Sequence, residues 1–250
     1  MQKQFSLLPK IAALSVMAAC AAPAMAQQAG SNIVNVGWFH LSPQDSSAGL
    51  TKLTNGGLPA GYYPNSHSSV GDADTLGIAF THFFTDNFAL TADLGIPPTF
   101  KLTGQGDLAG LGELGKAKQW SPAIVAKYYF GDASSKFRPF VGAGVTYVWY
   151  SDVKLSSSFQ NRAALNSGAL GGSATASLSS SLAPVLNLGA TYNFDDRWSL
   201  SLSVSYIPLK TDADITATPA GPAAAFGTQR YKTSITLDPI VSFLSVGYKF

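Results

Sequence analysis

The chain is poor in cysteine, in charge and in long apolar runs. Its one cysteine is Cys20, so a scaffold stapled by disulfides is excluded. Charged residues make up 12%, about half of the roughly 25% usual in soluble proteins. Yet nowhere after residue 26 is the chain apolar for about 18 residues, so it offers no transmembrane helix. Low charge without a spanning helix fits neither a soluble protein nor a helical membrane protein. A transmembrane β-barrel satisfies both conditions, because only alternate strand residues must be apolar and the closed ladder satisfies the backbone.

The first 26 residues read as a signal peptide. Lys3 and Lys10 supply a positive start, an apolar stretch follows from Ile11, and Ala24-Met25-Ala26 provides the small residues for cleavage before Gln27. Met17-Ala18-Ala19-Cys20 approaches a lipoprotein signal but has Met where Leu is expected. Residues 27–250 then form the barrel. Without Lys3 and Lys10 the remaining chain has 14 basic and 14 acidic residues. That balance gives no long-range attraction to nucleic acid, and no nucleic-acid partner is expected.

Alternation recurs along the chain. Between Trp198 and Tyr206 the odd positions are all serine, and the even ones are Trp198, Leu200, Leu202, Val204 and Tyr206. One face in lipid and the other in a lumen produces this pattern. The phase predicts eight antiparallel strands, at about Ile33–Ser42, Thr75–Phe84, Phe88–Ile96, Ala123–Phe130, Phe137–Asp152, Ala183–Phe194, Trp198–Lys210 and Thr236–Phe250. Three connections are short, at Thr85–Asn87, Gly131–Lys136 and Asp195–Arg197. Four are long, at Pro43–Asp74, Pro97–Pro122, Val153–Leu182 and Thr211–Ile235. Short periplasmic turns and four long extracellular loops require an even number of strands. Phe84, Phe88, Tyr128, Phe130, Phe194 and Trp198 lie beside the short turns, and Tyr147 and Trp149 lie near the other end, as aromatic girdles do. The Gly- and Ser-rich stretch Gln160–Ser181 is expected to be mobile.

Catalytic and metal signatures are sparse. His40, His67 and His82 sit in no zinc-binding spacing, so no metal, cofactor or catalytic residue is expected. His40, Ser42, Asp45, Ser46 and Ser47 cluster near the outer end of the first strand, where some outer-membrane enzymes hold serine and histidine. Nothing in their spacing holds a nucleophile against a base, and no enzyme is expected.

The run from Tyr129 to Gly144, with Lys136-Phe137-Arg138-Pro139 at its centre, resembles the OmpW family of small outer-membrane proteins. Ser42-Pro43-Gln44-Asp45-Ser46-Ser47, Thr85-Asp86-Asn87, Leu237-Asp238-Pro239 and the terminal Gly247-Tyr248-Lys249-Phe250 extend the likeness in the same order. The resemblance implies an eight-stranded barrel around a narrow, mainly hydrophobic channel. It also implies passive uptake of small apolar compounds, with phage or bacteriocin docking as the rival role. The third and fourth long connections depart from the pattern.

The residues suggest how such a channel works. Inward-phase Asp93, Lys127, Arg138, Asn187 and Asn193 are expected to form a polar floor, in a lumen barely wider than its side chains. Leu50, Leu53, Leu58, Leu178 and Leu182 are expected at an apolar mouth. Pro184 and Pro208, on neighbouring strands, cannot donate to the ladder and mark an expected lateral seam. Tyr248 and Phe250 resemble a signal read by the barrel-assembly machinery. The expected partners are outer-membrane lipid, that machinery and small hydrophobic solutes, and a monomer is expected.

Overall fold

The computed structural model describes residues 27–53, 60–164 and 172–250; the predicted signal peptide and Leu58 lie outside them. Eight antiparallel strands form the barrel: β1 (Asn32–Ser42), β2 (Ala73–Phe83), β3 (Phe88–Gly95), β4 (Ala123–Tyr129), β5 (Phe137–Leu155), β6 (Ser181–Asn193), β7 (Trp198–Tyr206) and β8 (Ile240–Lys249). Each strand pairs with its sequence neighbours, and β1 pairs with β8 from Ile33↔Lys249 to Ser42↔Ile240, which closes the sheet. Closure matters because an open edge in lipid would leave backbone groups unpaired.

The serine alternation of β7 reads directly in its exposure. Leu202 is 54% exposed and Ser203 only 7%. The same alternation in the other strands leaves Leu76, Ile78, Leu94, Leu186 and Leu244 exposed as well. These side chains meet lipid tails instead of water, so their exposure carries no hydrophobic penalty. Pairs of rings beside the short turns, such as Tyr192 with Phe194 and Trp198 with Tyr248, make the periplasmic girdle. Trp120, Tyr147 and Trp149 make the extracellular one.

Two strand ends differ by four residues from the sequence reading. The seventh strand stops at Tyr206 instead of Lys210, because Pro208 has no N–H for the ladder. The eighth begins at Ile240 instead of Thr236, after a break at Leu237-Asp238-Pro239 where Asp238 takes φ 34°. The residues beyond each break belong to a separate hairpin, Lys210–Thr218 with Gln229–Thr236.

The long connections also differ from the expected loops. The second folds into Thr99–Gly106 and Glu113–Trp120, which pair with each other. Glu113–Trp120 then pairs with the top of β5, while Ser66–Val70 pairs with Thr99–Gly106. On the other side Ser173–Leu178, Lys210–Thr218, Gln229–Thr236, Leu50–Lys52 and Gly61–Tyr63 form a second sheet. The stretch expected to be mobile contributes the end of a short helix, Ser157–Ala163, and a strand, Ser173–Leu178. The helix is capped by Ser156, whose side chain accepts from the Phe159 N–H. The barrel wall therefore continues upward beyond the membrane as two sheets around an apolar interior that includes Leu108, Leu114, Phe159 and Ile215.

Candidate functional site

The lumen is divided in two by stacked rings. Phe39 of β1 and Phe243 of β8 point inward with centroids 3.9 Å apart and planes 11° apart. Phe39 lies flat over Gly77 of β2, where any Cβ would collide with its ring. Glycine is needed there so that a large ring can cross a narrow barrel.

Below this pair the lumen is polar and nearly filled. A cavity of only about 20 Å³ remains, lined in part by Thr81, Lys127, Thr191, Ser201 and Ser245. Above the pair lies a cavity of about 270 Å³, with Leu41, Val148, Val185, Ile207, Leu209 and Val241 on its walls. Asp93, Thr75, Gln119, Thr146 and Ser205 are among its few polar residues. Two smaller apolar cavities, about 30 and 60 Å³, follow toward the extracellular end. The lowest of the three shares Leu41, Gln119 and Pro239 with the next, which shares Leu102, Ala117, Leu178 and Ile235 with the uppermost.

The main cavity also reaches the outer wall. The ladder between β3 and β4 runs from Phe88↔Tyr128 to Asp93↔Ala123 and stops. Leu94 to Pro98 on one side and Trp120 to Pro122 on the other then line the cavity. Pro97, Pro98 and Pro122 have no N–H with which to continue the ladder. Other polar groups at this edge are engaged elsewhere: Ile96 N–H donates to the Leu76 carbonyl (3.0 Å) and Tyr147 N–H to the Pro122 carbonyl (3.2 Å), and Thr75 Oγ1 donates to the Ile96 carbonyl (2.6 Å). The wall closes again where Gln119 N–H donates to the Pro98 carbonyl at 3.1 Å. Leu94 and Ile96, 54% and 64% exposed, face both the cavity and the membrane.

The residues expected at a lateral seam lie elsewhere. The β6–β7 ladder ends at Leu186↔Tyr206, so its register carries Pro184 toward Pro208. Neither lines a described cavity, and the wall above them is bridged by Ser181 Oγ donating to the Lys210 carbonyl at 2.7 Å. Pro184 and Pro208 flank the β6–β7 pair, whereas the prolines that border the cavity, Pro97, Pro98 and Pro122, flank the second long connection.

The five polar floor residues do not form one layer. Arg138 is fully buried at the periplasmic end. It donates to the carbonyls of Gln27 (2.7 Å), Asp86 (2.6 Å) and Gly131 (3.3 Å). Asn193, nearby, donates to the Ser135 carbonyl. Lys127 and Asn187 stand higher, in one row with Gly142 between them; Lys127 lies over the Phe140 ring at 4.9 Å and Asn187 donates to Ser205 Oγ. Asp93 belongs to the upper cavity. Arg138 therefore holds backbone carbonyls and forms no ion pair with Asp93.

The leucines are divided as well. Leu50 and Leu178 line the upper cavities. Leu53 lines none of the described cavities and is tied by its N–H to the Arg230 carbonyl. Leu182 is on the outer wall, 70% exposed, beside Tyr147, because the strand phase that buries Ala183 turns it to lipid. Phe250 is 66% exposed, with its ring near Phe80 and its N–H donating to the Asn32 carbonyl. Tyr248 packs against Trp198.

His40 and Ser42 are not brought together. His40 Nδ1 pairs with Asp74 Oδ1 at 2.8 Å, while Ser42 Oγ donates to Asp72. Sequence reasoning missed Phe39 and Phe243. Their signal was an aromatic in the inward phase of each strand.

The OmpW family profile matches residues 28–250. This chain belongs to the OmpW family. It is 31% identical to outer membrane protein W of Vibrio cholerae over 242 residues, 96% of this chain and 98% of that one. It is 28% identical over 221 residues to the dibenzothiophene metabolism operon protein PahQ of Pseudomonas aeruginosa, covering 85% of this chain and 91% of that one. The crystal structure of the outer membrane protein OprG from Pseudomonas aeruginosa superposes with a TM-score of 0.76 at 25% identity, over 90% of this chain and 98% of that one. As an OmpW-family barrel, the protein resides in the outer membrane of a Gram-negative bacterium.

Proposed function

We propose that this OmpW-family barrel takes up small apolar molecules from the extracellular side and releases them sideways into the membrane between β3 and β4. The observation that carries the reading is the 270 Å³ cavity, closed below by Phe39 and Phe243 and bordered by Leu94 and Ile96 at the interrupted ladder. An apolar solute moves through the upper cavities by exchanging water for leucine, isoleucine and phenylalanine contacts, at about 25 cal/mol per Å² of apolar surface. Going straight down requires it to open the nearly filled polar floor and break the hydrogen bonds of the buried Arg138, which is expensive. Moving outward between Ile96 and Trp120 brings it into lipid without that cost. The name of PahQ, a relative, refers to dibenzothiophene, an apolar polycyclic aromatic compound of the kind this reading expects.

The test narrows each route separately. Gly95 borders the main cavity and has ordinary van der Waals room at its Cβ position. Gly95→Phe is expected to cut uptake of an apolar tracer by cells that depend on this barrel. Ser201→Val, in the lower lumen, is expected to leave uptake unchanged. The reverse pattern, in variants that reach the membrane at equal levels, argues for a straight pore.

A further inference from the structure

The extracellular extension carries a row of like charges. Lys101 of Thr99–Gly106 lies directly opposite Lys116 of Glu113–Trp120, and Lys116 lies directly opposite Lys154 of β5. Lys118 stands one pleat nearer the membrane on the same face, and all four are exposed. Directly opposed side chains on a sheet have Cβ atoms about 5 Å apart, and like charges so placed are destabilising. Among the described residues no carboxylate is within ion-pair distance of Lys101, Lys116 or Lys154. The one ion pair in the group joins Lys118 to Asp152 at 2.8 Å. Glu113, beyond a register shift on the same strand, makes none.

The backbone assembles this row at a cost. Ser151 pairs with Lys118, so regular pairing would place Val153 beside Lys116. A bulge takes up one extra residue and puts Lys154 there instead. Asp152, inside the bulge, adopts φ 51°, a left-handed conformation uncommon outside glycine. Bulges re-aim side chains, and this one adds a third lysine to a pair that already repels.

The height of the row points to what neutralises it. Directly below, Trp120 and Trp149 stack at 5.7 Å with planes 4° apart, and Trp120 Nε1 donates to Ser151 Oγ. Such tryptophans mark the membrane–water interface, so the ammonium groups stand at headgroup level. Ala117 and Gln119 turn the other face of the sheet to the cavities, and Lys116 and Lys154 also border the uppermost one, while all four lysines remain exposed on the outer side. Asp72 follows Gly71, whose N–H donates to the Lys101 carbonyl, but its carboxylate accepts from Ser42 Oγ; Asp74 is engaged by Trp38 and His40, and Asp152 is the carboxylate that acts on Lys118 and Lys154.

We propose that Lys101, Lys116, Lys118 and Lys154 form a binding site for the phosphate groups of a phosphorylated glycolipid of the outer leaflet, lipid A. Its phosphates bridge the opposed lysines, and its acyl chains lie along the Trp120–Trp149 face.

The test uses the refolded barrel in phosphatidylcholine bicelles, with lipid A binding read by native mass spectrometry. The wild type is expected to prefer bisphosphorylated lipid A over the fully dephosphorylated form by at least about tenfold, since a lysine near an anionic surface is worth roughly fivefold. Lys101→Gln/Lys116→Gln/Lys154→Gln is expected to lose that preference. Lys101→Arg/Lys116→Arg/Lys154→Arg is expected to keep it, as is Arg230→Gln/Lys232→Gln on the other sheet. Folding of each variant is checked by heat-modifiable gel migration, and the arginine variant carries the test if the glutamine variant fails to fold: loss of preference in folded arginine-substituted protein contradicts the site. No preference in the wild type, or an undiminished preference in the glutamine variant, overturns the proposal. Binding of inorganic phosphate as tight as that of lipid A, at matched ionic strength, also overturns it, because the site would then be one for free anions.

Discussion

Arg138 Nη1 donates to the carbonyl oxygen of Gln27 at 2.7 Å, inside the periplasmic end of the barrel. The same guanidinium holds the turn carbonyls of Asp86 and Gly131, so one side chain joins the N-terminal segment to two of the three short turns. Replacing it by methionine leaves buried carbonyls without donors. The expected loss is about 3 kcal/mol of unfolding free energy in liposomes. Arg138→Lys recovers little, because an ammonium lacks the planar fork that serves several acceptors at once. Urea titration of the three proteins checks this.

The wall phase is tested at Leu202, which faces lipid opposite Leu244. Leu202→Arg is expected to cost about 2–4 kcal/mol by placing a charge in the bilayer. The gentler pair Leu202→Asn and Ser203→Asn compares the lipid face with the crowded inner face. Equal losses in the pair, measured by unfolding in liposomes, contradict the assignment.

Gly77 tests the aromatic partition. Gly77→Ala forces Phe39 off its position over β2 and is expected to cost about 1–3 kcal/mol, as overpacking does. Phe39→Leu in the same background relieves the collision and is expected to restore much of the loss. Thermal unfolding of the single and double variants reads the coupling.

Asp195 caps the last periplasmic turn. Its carboxylate accepts from the N–H groups of Arg197 and Trp198, both at 2.8 Å, and these bonds hold its pKa below the ordinary aspartate value. A depressed pKa in the folded state means a stabilising contribution that is full above the unfolded value and is lost as pH falls through the folded one. The stability gap between wild type and Asp195→Ala is therefore expected at neutral pH and should shrink on acidification below the usual aspartate range. A gap that widens in acid contradicts the cap.

The barrel was legible in the sequence because lipid and lumen impose opposite demands on alternate residues. The phase turns Phe39 and Phe243 inward, but that the two rings meet depends on the β1–β8 closure, which sets them opposite each other and which residue patterning alone does not give. The second connection was read as a loop between Pro97 and Pro122, yet Leu114, Ala117 and Gln119 are buried while Lys116, Lys118 and Trp120 are exposed. Its short alternation lies between flanking prolines, which mark loop ends. The position of the cavity depends on where the β3–β4 ladder stops, a long-range pairing that residue patterning does not encode. Pro97, Pro98 and Pro122 line the main cavity, whereas Pro184 and Pro208 line none of the described ones.

The path of release is the central claim, and cross-linking across the wall tests it most directly. Cys20 is the only native cysteine, so introduced pairs are readily followed. Ile96→Cys/Ser121→Cys spans the β3–β4 interruption and Pro184→Cys/Pro208→Cys spans the β6–β7 seam. Each pair is joined by a short bis-maleimide in cells taking up an apolar tracer. The account predicts that joining β3 to β4 stops uptake and that joining β6 to β7 leaves it running. Undiminished uptake with β3 joined to β4, or a block at β6–β7 alone, contradicts it.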